Sequence, residues 1–328
     1  MRHTTLGHSA VGVTELSFGA AGTGNLYAPL APEQAAAAVD AAWDAGIRYF
    51  DTAPHYGLGL SERRLGEALR DRPRDEFTVS TKAGRLLEPV AAGAAPVADD
   101  LDHGFAVPAT HRRVWDFSAD GVRRSVEESL ERTGLDRIDI VYLHDPDDHA
   151  EAAFRQAYPA LERLRAEGVV GAIGAGMNQT AMLTRFLRDT DADVVLCAGR
   201  FTLLDQSALT ELLPEATARG RSVVVGGVFN SGLLADPRPG ATYDYTAAPP
   251  ALLDRALRMD AVTRRHGIPL RAAALCYPLR HPAVASVLVG ARSAAEIRDA
   301  VALAERTVPD DLWAELRAEG LLDGETVR

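Results

Sequence analysis

Three apolar runs in this chain end on side chains that move or hold protons. "IRYFDT" (47–52) carries Asp51, "FTVSTK" (77–82) ends on Lys82, and "IDIVYLH" (138–144) ends on His144. A tyrosine, Tyr56, follows the first run in the glycine-containing stretch "APHYGLGLSE" (53–62). Side chains two apart on a strand share a face, so Asp51 follows Tyr49, Lys82 follows Ser80, and His144 follows Tyr142. If these faces point inward, a carboxylate, an ammonium and an imidazole meet at one rim, within reach of Tyr56. A phenol titrates near about 10, too high for efficient proton transfer at neutral pH. A lysine ammonium beside it favours the phenolate, and a carboxylate keeps that lysine charged and in place. An imidazole orients the substrate oxygen. The set suits hydride chemistry on a carbonyl or an alcohol.

Other chemistries find less support. "HDPDDH" (144–149) holds two histidines and three aspartates, but after a strand D-P-D-D is turn and cap material, so no metal is expected. The glycines around Ser231 do not form G-x-S-x-G, and no nucleophile stands beside a base. A non-catalytic cofactor-sensing barrel is a further possibility, against which the complete set of four residues argues. Ser61 and Glu62 are expected to open the next helix, with Ser61 as its cap.

The elements that must position these residues alternate along the chain. Eight strand-like runs start at 16, 47, 77, 138, 170, 194, 222 and 286: 16–20, 47–52, 77–82, 138–144, 170–175, 194–199, 222–227 and 286–291. Between them lie amphipathic stretches such as "PEQAAAAVDAAWDAG", "SADGVRRSVEESLERTG" and "AAFRQAYPALERLRAEG", each closed by glycine. Alternating strands and helices predict a parallel sheet with right-handed crossovers. Eight such units predict a (β/α)8 TIM barrel in one domain spanning 1–328 rather than an open doubly wound sheet. The doubly wound alternative would want a glycine fingerprint, and "GAAGTG" (19–24) is not G-x-G-x-x-G. Two gaps are long, 83–117 after the third strand and 228–250 after the seventh. In a barrel both loops lie over the C-terminal face, where active sites form. The aromatics Phe105, Trp115 and Phe117 predict an ordered lid for the first.

Composition narrows the partners. A net charge of −11 argues against nucleic acid and anionic membranes. There is no signal-peptide core and no apolar run of membrane-spanning length, and Cys197 and Cys276 sit in apolar stretches as buried thiols. A cytoplasmic enzyme of small molecules is expected, with no expectation about oligomeric state.

The motifs "FDTAPHYGLGLSERRLG", "STKAG", "RSVEESLERTGLDRIDIVYLHDPD" and "VLVGARSAAEIRDAV" together resemble the aldo-keto reductase superfamily over essentially the whole chain. "AGRFTLLDQSAL" and "GGVFNSGLLA" are similar to its branch of D-threo-aldose 1-dehydrogenases, L-fucose dehydrogenases and pyridoxal 4-dehydrogenase. The resemblance implies a barrel that binds NAD or NADP extended across its C-terminal face, without a metal. It places the catalytic tetrad on Asp51, Tyr56, Lys82 and His144, and implies oxidation of an aldose at C1 to the lactone. General aldehyde or ketone reduction is the rival. It also implies cofactor contacts from Gly19, from Asn178, and from Phe229, Asn230, Ser231, Gly232 and Leu233 around the pyrophosphate. Gly290, Ala291, Arg292 and Ser293 would hold the adenosine phosphate at a helix start, with Glu296 and Asp299 nearby. The usual nicotinamide-stacking aromatic falls on Gly226, and a frequent glutamine falls near Ala198. Glu296 stands where members that prefer NADP often carry arginine; a carboxylate there repels a 2′-phosphate, which leans toward NAD.

Overall fold

The computed structural model describes residues 1–90, 99–244 and 246–323. Eight parallel strands close into a barrel in chain order: β1 (Leu16–Gly19), β2 (Tyr49–Asp51), β3 (Thr78–Ala83), β4 (Ile140–His144), β5 (Ala172–Met177), β6 (Val194–Ala198), β7 (Ser222–Gly226) and β8 (Val284–Gly290). β8 pairs with β1 to complete the ring, with Gly290 opposite Gly19. The barrel expected from the spacing is therefore present, with each strand close to its expected run. No helix among the described residues is long and apolar enough to cross a membrane.

Two-residue periodicity divides the strands between two apolar layers. Tyr49, Ile140, Tyr142, Val194, Leu196, Val224 and Leu288 fill the barrel interior, with Leu6 and Val13 packed among them. Those two residues flank and enter the hairpin His3–Thr5/Gly12–Thr14, which plugs the barrel's N-terminal end. The alternate residues, such as Phe50, Val79, Val141, Leu143, Val195 and Val225, join the larger layer under the helices. Burying both faces of a strand is what turns these sequences into near-continuous apolar runs.

Helix punctuation follows the glycines. The helix Ala119–Thr133 is capped by Ser118, whose side chain accepts from Gly121 N, and ends on Gly134 in the left-handed region (φ 64°). The run 152–168 is less regular than its pattern: residues 153–157 form a π-turn before Tyr158–Ala166. Pro159 explains this, because a proline cannot donate to the preceding turn and its ring crowds the carbonyl four residues back.

Three local expectations are corrected. The fifth strand is Ala172–Met177, two residues later than the expected 170–175. The amides of Gly171 and Ala172 are spent on the Asp139 carbonyl, so the turn runs further than the apolar pattern suggests. Ser61 is not a cap. The helix Leu60–Leu69 starts from Gly59 in the left-handed region (φ 78°), which turns Ser61 and Glu62 into the core. Cys197 is buried, whereas Cys276 is only half-buried, and both are free thiols.

The long loops have structure of their own. The loop after β3 contains an antiparallel hairpin, Arg85–Pro89 with His111–Trp115, and a short turn at Leu101–His103. Phe105 and Phe117 are buried, while Trp115 is exposed and flanks the Arg85 guanidinium. Residues 91–98 of the expected lid lie outside the described residues. The loop after β7 forms a tight turn at 228–232 and a hairpin at 242–247, in which Tyr245 is likewise outside them.

Glu62, fully buried, accepts from Thr81 Oγ1 at 2.8 Å and pairs with Arg132 from the Ala119–Thr133 helix. Removing one partner of such a pair leaves a charge buried without compensation. Arg132→Met should therefore cost about 3–5 kcal/mol in urea unfolding, and Arg132→Met with Glu62→Gln should recover part of it; a loss below about 1 kcal/mol would show that the pair carries no structural load.

Candidate active site

Asp51 ends β2, and inward alternation aims its carboxylate across the barrel mouth. Lys82 Nζ donates to Asp51 Oδ2 at 2.7 Å and to the Thr52 carbonyl at 2.9 Å, with both side chains buried. The second carboxylate oxygen accepts from Ser80 Oγ at 2.7 Å. Ser80 is in turn joined to Tyr49 OH at 3.0 Å, and Tyr49 OH to Tyr142 OH at 3.1 Å. A chain of buried hydroxyls thus runs from the barrel interior to the carboxylate. Burial and the neighbouring Tyr142 and Asp51 hold Tyr49 well above the ordinary phenol range, so these hydroxyls stay neutral.

Tyr56 reaches this pair by a turn whose path depends on two glycines. A Cβ on Gly57, at φ 61°, would lie 2.2 Å from the Gly24 carbonyl oxygen, and one on Gly24 would meet the Tyr56 backbone at 2.8 Å. Only glycine allows these backbones to touch. The last glycine of "GAAGTG" therefore serves close packing against the Tyr56 turn, and Gly22 serves it against the Ala291 carbonyl, 2.9 Å from where a Cβ would lie. Ser61 completes the brace by donating to the Ala20 carbonyl at 2.7 Å and bonding Thr52 Oγ1 at 2.8 Å. The Tyr56 ring lies 4.7 Å from Lys82 Nζ and 6.1 Å, edge-on, from the His144 ring.

The four residues expected to act together do meet. Burial opposes charge on Lys82, but Asp51 and the Tyr56 phenol outweigh it and hold the ammonium above the ordinary lysine range. Burial, reinforced by Arg85 and Lys82, holds His144 well below its ordinary range, so its imidazole is neutral. Its Nδ1 is buried without a hydrogen-bond partner among the described residues. Asp145 is engaged by Arg85 from the lid hairpin. Among the described residues no group of three or more His, Cys, Asp or Glu is placed to hold a metal ion.

A cavity of about 600 Å³ opens above Tyr56, Lys82 and His144. Leu26, Tyr27, His55, Phe105 and Asn178 are among its walls. It continues along the rim into a groove of about 330 Å³ floored by Gly19, Gly226 and Gly290 at the ends of β1, β7 and β8. A Cβ at Gly226 would meet nothing closer than 3.7 Å, so a side chain there would fill the groove instead of clashing.

The residues expected to hold a cofactor divide into three groups. Gly19, Asn178, Phe229, Asn230, Ser231, Gly232 and Gly290 line the groove. Asn178 spends its amide nitrogen on the Ala198 carbonyl (2.9 Å), while Asn230 is buried and its Oδ1 has no hydrogen-bond partner among the described residues. Leu233 is in the core, and the amides of Asn230, Gly232 and Leu233 already donate within the loop. At the far end Ser293 caps the Ala294–Ala304 helix, and Glu296 accepts from the Arg292 amide at 2.8 Å. Arg292 donates to the carbonyls of Ala28 and Pro29, Ala291 is buried, and Asp299 pairs with Arg271.

Half-buried His55 and Arg113 and buried Asp100 carry a network that the sequence does not reveal. Arg113 Nε donates to His55 Nδ1 at 2.5 Å, and its Nη1 and Nη2 bind Asp100 at 2.8 and 2.6 Å. Burial, with Arg85 and Arg113 nearby, lowers His55 to about 2.

The sequence and the fold have known counterparts. Residues 15–319 match the sequence model of the Aldo/keto reductase family. A D-threo-aldose 1-dehydrogenase from Pseudomonas sp is 49% identical, covering 96% of both chains. A pyridoxal 4-dehydrogenase from Microbacterium luteolum is 42% identical, covering 97% of both. A solved aldo-keto reductase from Bacillus halodurans in its holo form has a TM-score of 0.74 at 27% identity, covering 97% of this chain and 96% of its own.

His55 binds its proton in the unfolded chain near pH 6.5 and only near 2 when folded. The unfolded state then holds the extra proton, so stability falls as pH drops below 6.5, by roughly 2 kcal/mol at pH 5. Urea unfolding between pH 7 and 5 should show a flatter pH slope for His55→Phe than for the unaltered protein; equal slopes would contradict the neutral imidazole.

Proposed function

This chain belongs to the aldo/keto reductase family, and we propose that it is an NAD(P)-dependent oxidoreductase that oxidises an aldose at C1 to the lactone. The observation that carries the reading is the buried Lys82–Asp51 pair beneath Tyr56, facing a cavity with neutral His144 on its wall. The 49% identical aldose dehydrogenase supports the substrate class.

The residues at hand fit a nicotinamide cofactor. The glycine floor admits an extended flat ligand, and Asn178, which lines both the cavity and the groove, suits its carboxamide. The start of the Ala294–Ala304 helix would take the adenosine phosphate on amides other than those of Arg292 and Glu296, which Glu296 and Ser293 already occupy. Glu296 at that end favours an unphosphorylated ribose, hence NAD over NADP. When bound, such a cofactor would supply the hydride acceptor for oxidation and the hydride donor for reduction. The chain's own part is the proton. Tyr56 takes it from the C1 hydroxyl as base and gives it to a carbonyl as acid. Lys82 stabilises the phenolate, and Asp51 keeps Lys82 charged in a site that would otherwise disfavour charge. Neutral His144 aligns the reacting oxygen. With C1–H leaving as hydride and O–H as proton, the product is the lactone.

A screen of aldoses, pyridoxal and simple aldehydes with both NAD and NADP should show fastest turnover with an aldose and NAD. Tyr56→Phe should lower turnover at least about 10²–10⁴-fold while leaving cofactor affinity, read by fluorescence titration, nearly unchanged. Turnover unaltered in Tyr56→Phe would refute the proton-transfer role, and preference for pyridoxal would refute the aldose assignment.

A further inference from the structure

Resting on the aldose reading, we propose that His55 determines specificity by donating its Nε2–H to a substrate hydroxyl adjacent to the reacting carbon. Arg113, on the lid hairpin, is the positioning residue that fixes this donor. The tautomer follows from the hydrogen bonds alone. A guanidinium can only donate, so the Nδ1 that receives Arg113 Nε must present a lone pair. The imidazole is then neutral, with its one hydrogen on Nε2. Arg113 is itself fixed, by two bonds to Asp100 and one to the His55 carbonyl at 2.9 Å. Arg113 and Asp100 are both nearly buried, at 8% and 5% side-chain exposure.

The ring stands where a second hydroxyl would come. Its centroid is 5.7 Å from that of His144 and 6.1 Å from that of Tyr56, the two groups that flank the reacting oxygen. It also packs edge-on against Phe105 at 5.3 Å. His55 lines the same cavity, and no described residue hydrogen-bonds its Nε2.

The charges around the cavity sharpen the substrate class. Lys82 is paired with Asp51, Arg85 with Asp145, and Arg113 with Asp100. None of these three cations is left to meet a phosphate or carboxylate. A neutral N–H donor beside three neutralised cations suits an uncharged polyhydroxy substrate, not a sugar phosphate or sugar acid. The lid thereby takes part in selection: without its strand at 111–115, His55 loses the bond that sets its tautomer.

The test compares the best aldose from the screen with its monodeoxy analogues. The 2-deoxy analogue should lose at least about 30-fold in kcat/KM with the unaltered enzyme, because a donor is left unpaired. In His55→Phe that penalty should shrink to within about threefold while penalties at other positions stay. His55→Gln, which keeps a donor, should restore part of it. Imidazole nitrogen shifts of the resting protein at pH 6 should show His55 as the neutral Nε2–H form, and Arg113→Met should mix the tautomers. A 2-deoxy penalty unchanged in His55→Phe, a penalty relieved only at another position, or a charged or Nδ1–H His55, would overturn the assignment. If no aldose is turned over, the aldose reading falls. The His55 assignment is then decided by the nitrogen shifts and by removing hydroxyls from whichever alcohol is oxidised.

Discussion

Everything at the rim of this barrel is arranged around two opposite charges held out of water. Isolated, either Asp51 or Lys82 would be costly in that position. Together they are offset by contact at 2.7 Å and by neighbours that satisfy their remaining capacity: Ser80 on the carboxylate, the Thr52 carbonyl on the ammonium. The chain of hydroxyls through Tyr49 and Tyr142 extends that support into the barrel. A phenol placed over a charged, immobile ammonium can exchange a proton at neutral pH, which a solvated tyrosine does poorly. The constraint is mutual, since strands β2 and β3 must stay in register for the two side chains to meet.

The second requirement is a turn rigid enough to keep Tyr56 above that pair. It is met by backbone contact between Gly24 and Gly57 and by Ser61, which binds the loop after β1 and the end of β2 at once. Behind Ser61, Glu62 and Arg132 fasten the helix to its neighbour. On the open side the lid contributes Phe105 and, through Arg113, sets the hydrogen-bonding face of His55. The placement of these side chains thus depends on contacts made by three separate loops on one rigid ring.

Much of this was legible in the chain. Period-two alternation put Asp51, Lys82 and His144 on inward faces, and strand spacing implied eight units in sequence order, as the closed ring has them. What escaped had physical reasons. Helix-start residues such as Ser61 have the same composition whether they cap a helix or bind across to other loops, and only the left-handed Gly59 decides between them. The small-residue strand 172–177 has a weak apolar signal, and its Gly174 answers to the Val194 carbonyl, on which a Cβ would fall at 1.7 Å. His55, Asp100 and Arg113 are far apart in sequence and obey no spacing rule, because a folded lid brings them together. The glycines of "GAAGTG" looked like a failed nucleotide motif because close backbone approach leaves no mark beyond glycine itself.

The central claim is that the Lys82 charge makes the Tyr56 phenol a usable acid and base. The most direct test is the pH profile of kcat/KM for oxidation in Lys82→Met, made together with Asp51→Asn so that no lone charge is buried. Loss of the ammonium should move the acid limb, where the base must be deprotonated, by more than about one pH unit to the alkaline side. An acid limb that stays in place in the double variant would contradict the account.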